Sequence, residues 1–117
     1  MAPAGKILLQ SFGFKYGHPN TNMYIDVTFL PNPARLPGKN LFSELDEEMI
    51  QFVLNYPETR DLIDKTVDLV KFLSLKDDIR VGIGCNSGRH RSVIVVNEME
   101  KLLGGFGLTC AILHRDL

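Results

Sequence analysis

Cys85 and Arg91 stand six residues apart in the stretch "VGIGCNSGRHRSVIVV", Val81 to Val96. An apolar run leads into the cysteine, small and basic residues follow, and a second apolar run begins at helical spacing. A thiol at the end of a strand, with a Gly/Ser loop and an arginine after it, can sit beneath a bound phosphate as a nucleophile. The same residues can also hold an oxyanion without reacting. A loop that turns from a strand into a helix aims backbone N–H groups and the positive end of the helix dipole at one point. Asn86, Ser87 and Gly88 form its small polar part, Arg89, His90 and Arg91 add charge, and Ser92 adds a hydroxyl. In the plainest alternative, Cys85 is a small buried hydrophobe and the basic residues are a solvated helix start.

The spacing Cys85-x-x-Gly88-x-x-Arg91-Ser92 fits the C-x5-R loop of cysteine-dependent phosphatases, with Cys85 and Arg91 as the catalytic pair. Two features weigh against hydrolysis. Gly84 precedes the cysteine where those enzymes generally carry a histidine, and no Asp lies in an obvious general-acid loop to protonate a leaving oxygen. Asp26 and Asp116 are the candidates that remain. A non-catalytic phosphate site is the expectation, and the phosphatase is its alternative. Outside the loop, Lys15, Asp26 and Arg35 are candidates for a secondary pocket. No set of His, Cys and carboxylates has metal-site spacing, so neither metal nor cofactor is expected. Cys110, within "LTCAIL", reads as core, and His18 and His114 as surface or capping residues.

The elements that must position these residues follow from the apolar pattern. "KILLQSFGF" begins as a strand that ends near Gln10 to Phe12, and "MYIDVTFL" is a strand rich in β-branched and aromatic residues. "PNPARLPGKN" is an irregular, proline-stiffened loop placed to act as a lid. A helix is expected from Ser43, and another after Pro57 with Ile63, Val67, Val70 and Leu73 on one face. "IRVGIGC" reads as a strand buried on both faces. A helix from about Arg89 to Leu103 and a last strand at "LTCAIL" complete the order β–β–α–α–β–α–β. That order implies an α/β, three-layer sandwich with a mixed, mainly parallel sheet and a strand–phosphate loop–helix unit.

The chain has 117 residues, enough for one domain spanning 1–117 with a modest core. Its net charge of −1 gives no global signature of nucleic-acid or membrane binding, so an anion site must be built locally. Two cysteines make no disulfide framework, and "MAPAGKILLQSFG" is too short and too weakly apolar for a signal peptide. A cytoplasmic protein with no membrane segment is the expectation.

Four blocks carry a resemblance: "SFGFKYG" (Ser11 to Gly17), "DVTFLPNP" (Asp26 to Pro33), "GIGCNSGRHRSV" (Gly82 to Val93) and "HRDL" (His114 to Leu117). In this order they resemble the C-terminal domain of the RNase adapter RapZ and its nucleotide-binding relatives. The resemblance implies a non-enzymatic domain that binds a phosphorylated amino sugar, glucosamine 6-phosphate in the enterobacterial member, where the domain also carries small-RNA and partner-protein binding. There are departures. No Walker A motif is present, so the chain reads as a stand-alone version or an excised domain. Asn86-Ser87-Gly88-Arg89 replaces the common Thr-Gly-Gly-Lys, and Ala34 stands after "PNP" where the family usually places His or an aromatic residue. The expected partner is a phosphorylated small molecule. RNA, a nucleotide, a partner protein and a second copy of the chain remain open alternatives.

Overall fold

Val81, Ile83 and Cys85 alternate along their strand with Gly82 and Gly84, so one face is bulky and the other has no side chains at those two positions. The neighbours fit this asymmetry. The computed structural model, which describes residues 5–117, contains a four-stranded sheet of order β2-β3-β1-β4. Its strands are β1 (Ile7–Gly13), β2 (Met23–Asp26), β3 (Ile79–Cys85) and β4 (Cys110–His114). Every pairing is parallel, so the parallel character expected of the last β–α–β unit extends to β2 as well. Met1 to Ala4, part of the stretch weighed above as a signal peptide, lie outside the described residues.

Of the helices α1 (Glu47–Leu54), α2 (Pro57–Leu73) and α3 (Arg91–Gly105), α2 and α3 cover the bulky face and α1 packs against them. Ile7, Leu9, Val81, Ile83 and Cys85 from the sheet meet Ile63, Val67 and Val70 of α2 and Val95, Met99 and Leu103 of α3 in one buried cluster. Arg60 of α2 donates to Glu98 of α3 at 2.7 Å across the helix pair. The other face carries a separate aromatic group. Phe12, fully buried, meets Phe14 and Tyr24 edge to face, with ring centroids 4.9 and 5.9 Å away. A Cβ on Gly84 would lie 2.5 Å from the Phe12 ring and one on Gly82 would lie 2.9 Å from Pro19, so the missing side chains admit this layer. The sandwich is thus helices, sheet, and a loop layer from Phe14 to Asn22.

Element ends differ from the pattern-based expectation in several places: β1 runs on to Gly13, β4 covers Cys110–His114 and not Leu108 to Leu113, and α3 continues to Gly105. β2 stops at Asp26 because that side chain accepts from the Thr28 N–H at 2.8 Å and turns the chain. α1 starts after Asp46, which accepts from the Met49 N–H at 2.9 Å, while Ser43 instead accepts from Asn40 in the preceding turn. α3 begins at Arg91, two residues later than expected, leaving Arg89 and His90 in the loop. The proline-rich loop also contains a short 3-10 turn, Pro33–Arg35. Among the described residues, no helix is long and apolar enough to cross a membrane.

Candidate anion site

Parallel strands deliver their following loops to one edge of the sheet. Here β3 delivers Asn86 to His90 to the N-terminus of α3, and β2 delivers the segment from Val27 onward beside it. Val27 donates its N–H to the Gly84 carbonyl at 2.8 Å, which locks the two loops together at their roots.

The loop's backbone donors are unspent. Among the described residues, no N–H from Asn86 to Val93 has a protein acceptor, and the next amide, Ile94, donates to the His90 carbonyl at 2.9 Å. The first amides of any helix lack intrahelical partners, but here the run extends back through the whole loop. Beneath it, the Cys85 thiol lies 3.2 Å from the Ser92 hydroxyl, and both side chains are buried.

Three basic side chains of the loop go to different places. Arg91 is 7% exposed, and its Nη1 donates to the carbonyls of Thr28 at 2.6 Å and Leu30 at 3.1 Å. Those bonds use a single nitrogen of a fork with five N–H groups. His90 is buried with Nε2 2.7 Å from the Ser43 carbonyl. Arg89 turns outward, donating from Nε to the Leu41 carbonyl at 3.1 Å, with its guanidinium 5.7 Å from the Phe42 ring.

The loop rests on the end of β1. Gly88 has φ +74°, and a Cβ there would fall 2.6 Å from the Gly13 nitrogen; a Cβ on Gly13 would fall 2.4 Å from the Ser87 carbonyl carbon. The two backbones approach this closely only because both residues are glycine. The chain's last residues brace the same point. Asp116 accepts from the Gly13 N–H at 2.7 Å, and Arg115 pairs with Asp116 at 2.8 Å while donating to the Gly17 carbonyl at 2.7 Å. Burial pushes the Asp116 carboxyl up, but the hydrogen bonds from Arg115 and the Gly13 amide outweigh it and hold the group below its ordinary range. A carboxyl held in its ionised form is a poor general acid at neutral pH.

A cavity of about 340 Å³ opens over the loop. Cys85, Asn86, Ser87, His90 and Arg91 line it from the α3 side, with Lys15, Asn32, Ala34 and Leu41 opposite. Lys15 is thus brought to the loop, and Arg35 lines an adjoining cavity that shares Asn32, Asn86 and Arg91. Asp26 is spent on its own turn and lies in neither lining, Ser92 sits beneath the cavity, and Arg89 lies outside it. Sequence reasoning passed over Asn32, whose Oδ1 accepts from Ala34 N–H at 3.1 Å and so caps the 3-10 turn. Its place between two prolines was the signal available. Arg115 and Asp116 lie in the "HRDL" block, but nothing in the sequence pointed to their brace on Gly13.

Residues 5–117 match the family described as RapZ C-terminal domain. The chain belongs to that family. It is 40% identical over 117 residues to a nucleotide-binding protein of Geobacter sulfurreducens, an overlap that covers 94% of this chain and 41% of that protein. A nucleotide-binding protein of Agathobacter rectalis is 40% identical over 121 residues, with 95% of this chain and 41% of the relative covered. One from Streptomyces coelicolor is 33% identical over 122 residues, covering 98% and 41%. The chain therefore spans about two fifths of the length of the curated relatives it matches.

Proposed function

We propose that this RapZ C-terminal domain is a non-catalytic sensor or adapter module that holds the phosphoryl group of a small metabolite on residues 85–92. The observation that supports this reading is the unspent run of amides from Asn86 to Val93, beside a cavity that Asn86, Ser87, His90 and the buried Arg91 line. Backbone donors gathered at a helix N-terminus favour an oxyanion, and Arg91 supplies charge without needing to move. The amino sugar phosphate implied by the family resemblance is the first ligand to test. The relatives' name, nucleotide-binding protein, makes a nucleotide the second.

Calorimetry with inorganic phosphate, glucosamine 6-phosphate and AMP is the direct test. Saturable binding of a phosphoryl compound, retained in Cys85→Ser, is the expected result. Absence of binding by every compound would end the proposal. The Cys85–Ser92 contact keeps the phosphatase alternative concrete. Turnover of an aryl phosphate by the wild type that disappears in Cys85→Ser would establish the phosphatase instead.

A further inference from the structure

The mouth of the anion site holds more positive charge than one phosphoryl group requires. The cavity over the loop and its neighbour of about 320 Å³ meet along Asn32, Asn86 and Arg91. Lys15 stands on the wall of the first and Arg35 on the wall of the second, with Arg91 between them on both. No Asp or Glu lines either cavity. Among the described residues Lys39 pairs with Asp46, Arg60 and Lys101 with Glu98, and Arg115 with Asp116, while the remaining lysines and arginines form no ion pair. Among the described residues, Lys15, Arg35 and Arg91 form no such pair.

Like charges gathered on connected walls repel one another, and an anion placed between them relieves that repulsion. A phosphoryl group on the loop amides engages Arg91 and lies in the cavity that Lys15 borders. Arg35 is left over on the far wall, exposed, and its guanidinium donates no hydrogen bond to the described chain. Beside it, Asn32 turns its Oδ1 to the Ala34 amide and keeps its NH2 group as a donor at the junction. A guanidinium with a neighbouring amide donor suits a planar or tetrahedral oxyanion.

We infer that the ligand carries two anionic groups: a phosphoryl group on the loop, and a carboxylate or second phosphoryl group held by Arg35 and Asn32. This rests on the phosphoryl reading of the loop and narrows the ligand class.

The experiment is competition calorimetry at fixed ionic strength with inorganic phosphate, glucose 6-phosphate, 6-phosphogluconate and fructose 1,6-bisphosphate. At least one of the two doubly anionic probes should bind ten-fold or more tightly than glucose 6-phosphate, and which one does so identifies the second group. In Arg35→Gln, a change at an exposed position, that ratio should collapse toward one. If glucose 6-phosphate binds as tightly as both doubly anionic probes, or if the ratio survives in Arg35→Gln, the inference is wrong even though inorganic phosphate binds. If inorganic phosphate and all three sugar phosphates fail to bind the wild type, the phosphoryl reading falls and takes this one with it.

Discussion

On the proposed function, Arg91 has two jobs for one guanidinium. Its Nη1 is committed to the carbonyls of Thr28 and Leu30, and the other N–H groups remain for an anion in the cavity it lines. Arg91→Ala is therefore expected to weaken phosphoryl binding by about 1.5–3 kcal/mol, the range for a hydrogen bond to a charged group, and to loosen the Thr28–Leu30 segment as well. Calorimetry reads the first effect and hydrogen exchange in that segment the second. Arg91→Lys should recover little of either, because an ammonium cannot reach both carbonyls and the ligand with fork geometry. Gly88 is the other decisive residue. An alanine there must hold φ +74°, which costs about 1–2 kcal/mol for an L-residue, and its Cβ must also displace the Gly13 nitrogen from 2.6 Å. Gly88→Ala should lower the denaturation midpoint and weaken phosphate binding together.

At the scale of elements, β4 and the residues after it fasten the sheet to the site. His114 sits between the Ser11 hydroxyl, 2.7 Å from Nδ1, and the Asn97 side-chain oxygen, 3.1 Å from Nε2. Burial lowers its pKa below the ordinary 6.5, against a smaller opposing pull from Glu100. The unfolded chain then takes up this proton first as pH falls, so the stability His114 contributes is complete above pH 6.5 and declines on acidification below it. Urea midpoints at pH 7.5 and 5.5 should differ more for the wild type than for His114→Asn. The β3–loop–α3 unit was legible in the sequence because its chemistry is contiguous: an apolar strand, a small polar loop, an arginine, an apolar helix. The brace on Gly13 was not, since Asp116 reaches it across 103 positions and nothing near either residue announces the pairing. The shortened β2 and the late start of α1 have a different cause. Asp26 and Asp46 each redirect the backbone with a side-chain oxygen, and an apolar pattern carries no record of that competition.

For the molecule as a whole, a ligand that binds only the folded chain raises its stability by mass action. A phosphoryl compound at about 100 times its Kd should add about 2.7 kcal/mol to unfolding, and a denaturant titration with and without it checks this. The shift should shrink in Arg91→Ala at the same concentration. The glycine contact between β1 and the loop after β3 then has a thermodynamic corollary. Gly13 and Gly88 touch backbone to backbone, and Asp116 holds Gly13 from the side. The loop's shape is set when the sheet forms, so ordering its backbone is a cost of folding and not of binding. On the proposed function, an anion there meets amides whose backbone is already ordered, and its association should proceed in a single kinetic step without a slow rearrangement of the loop.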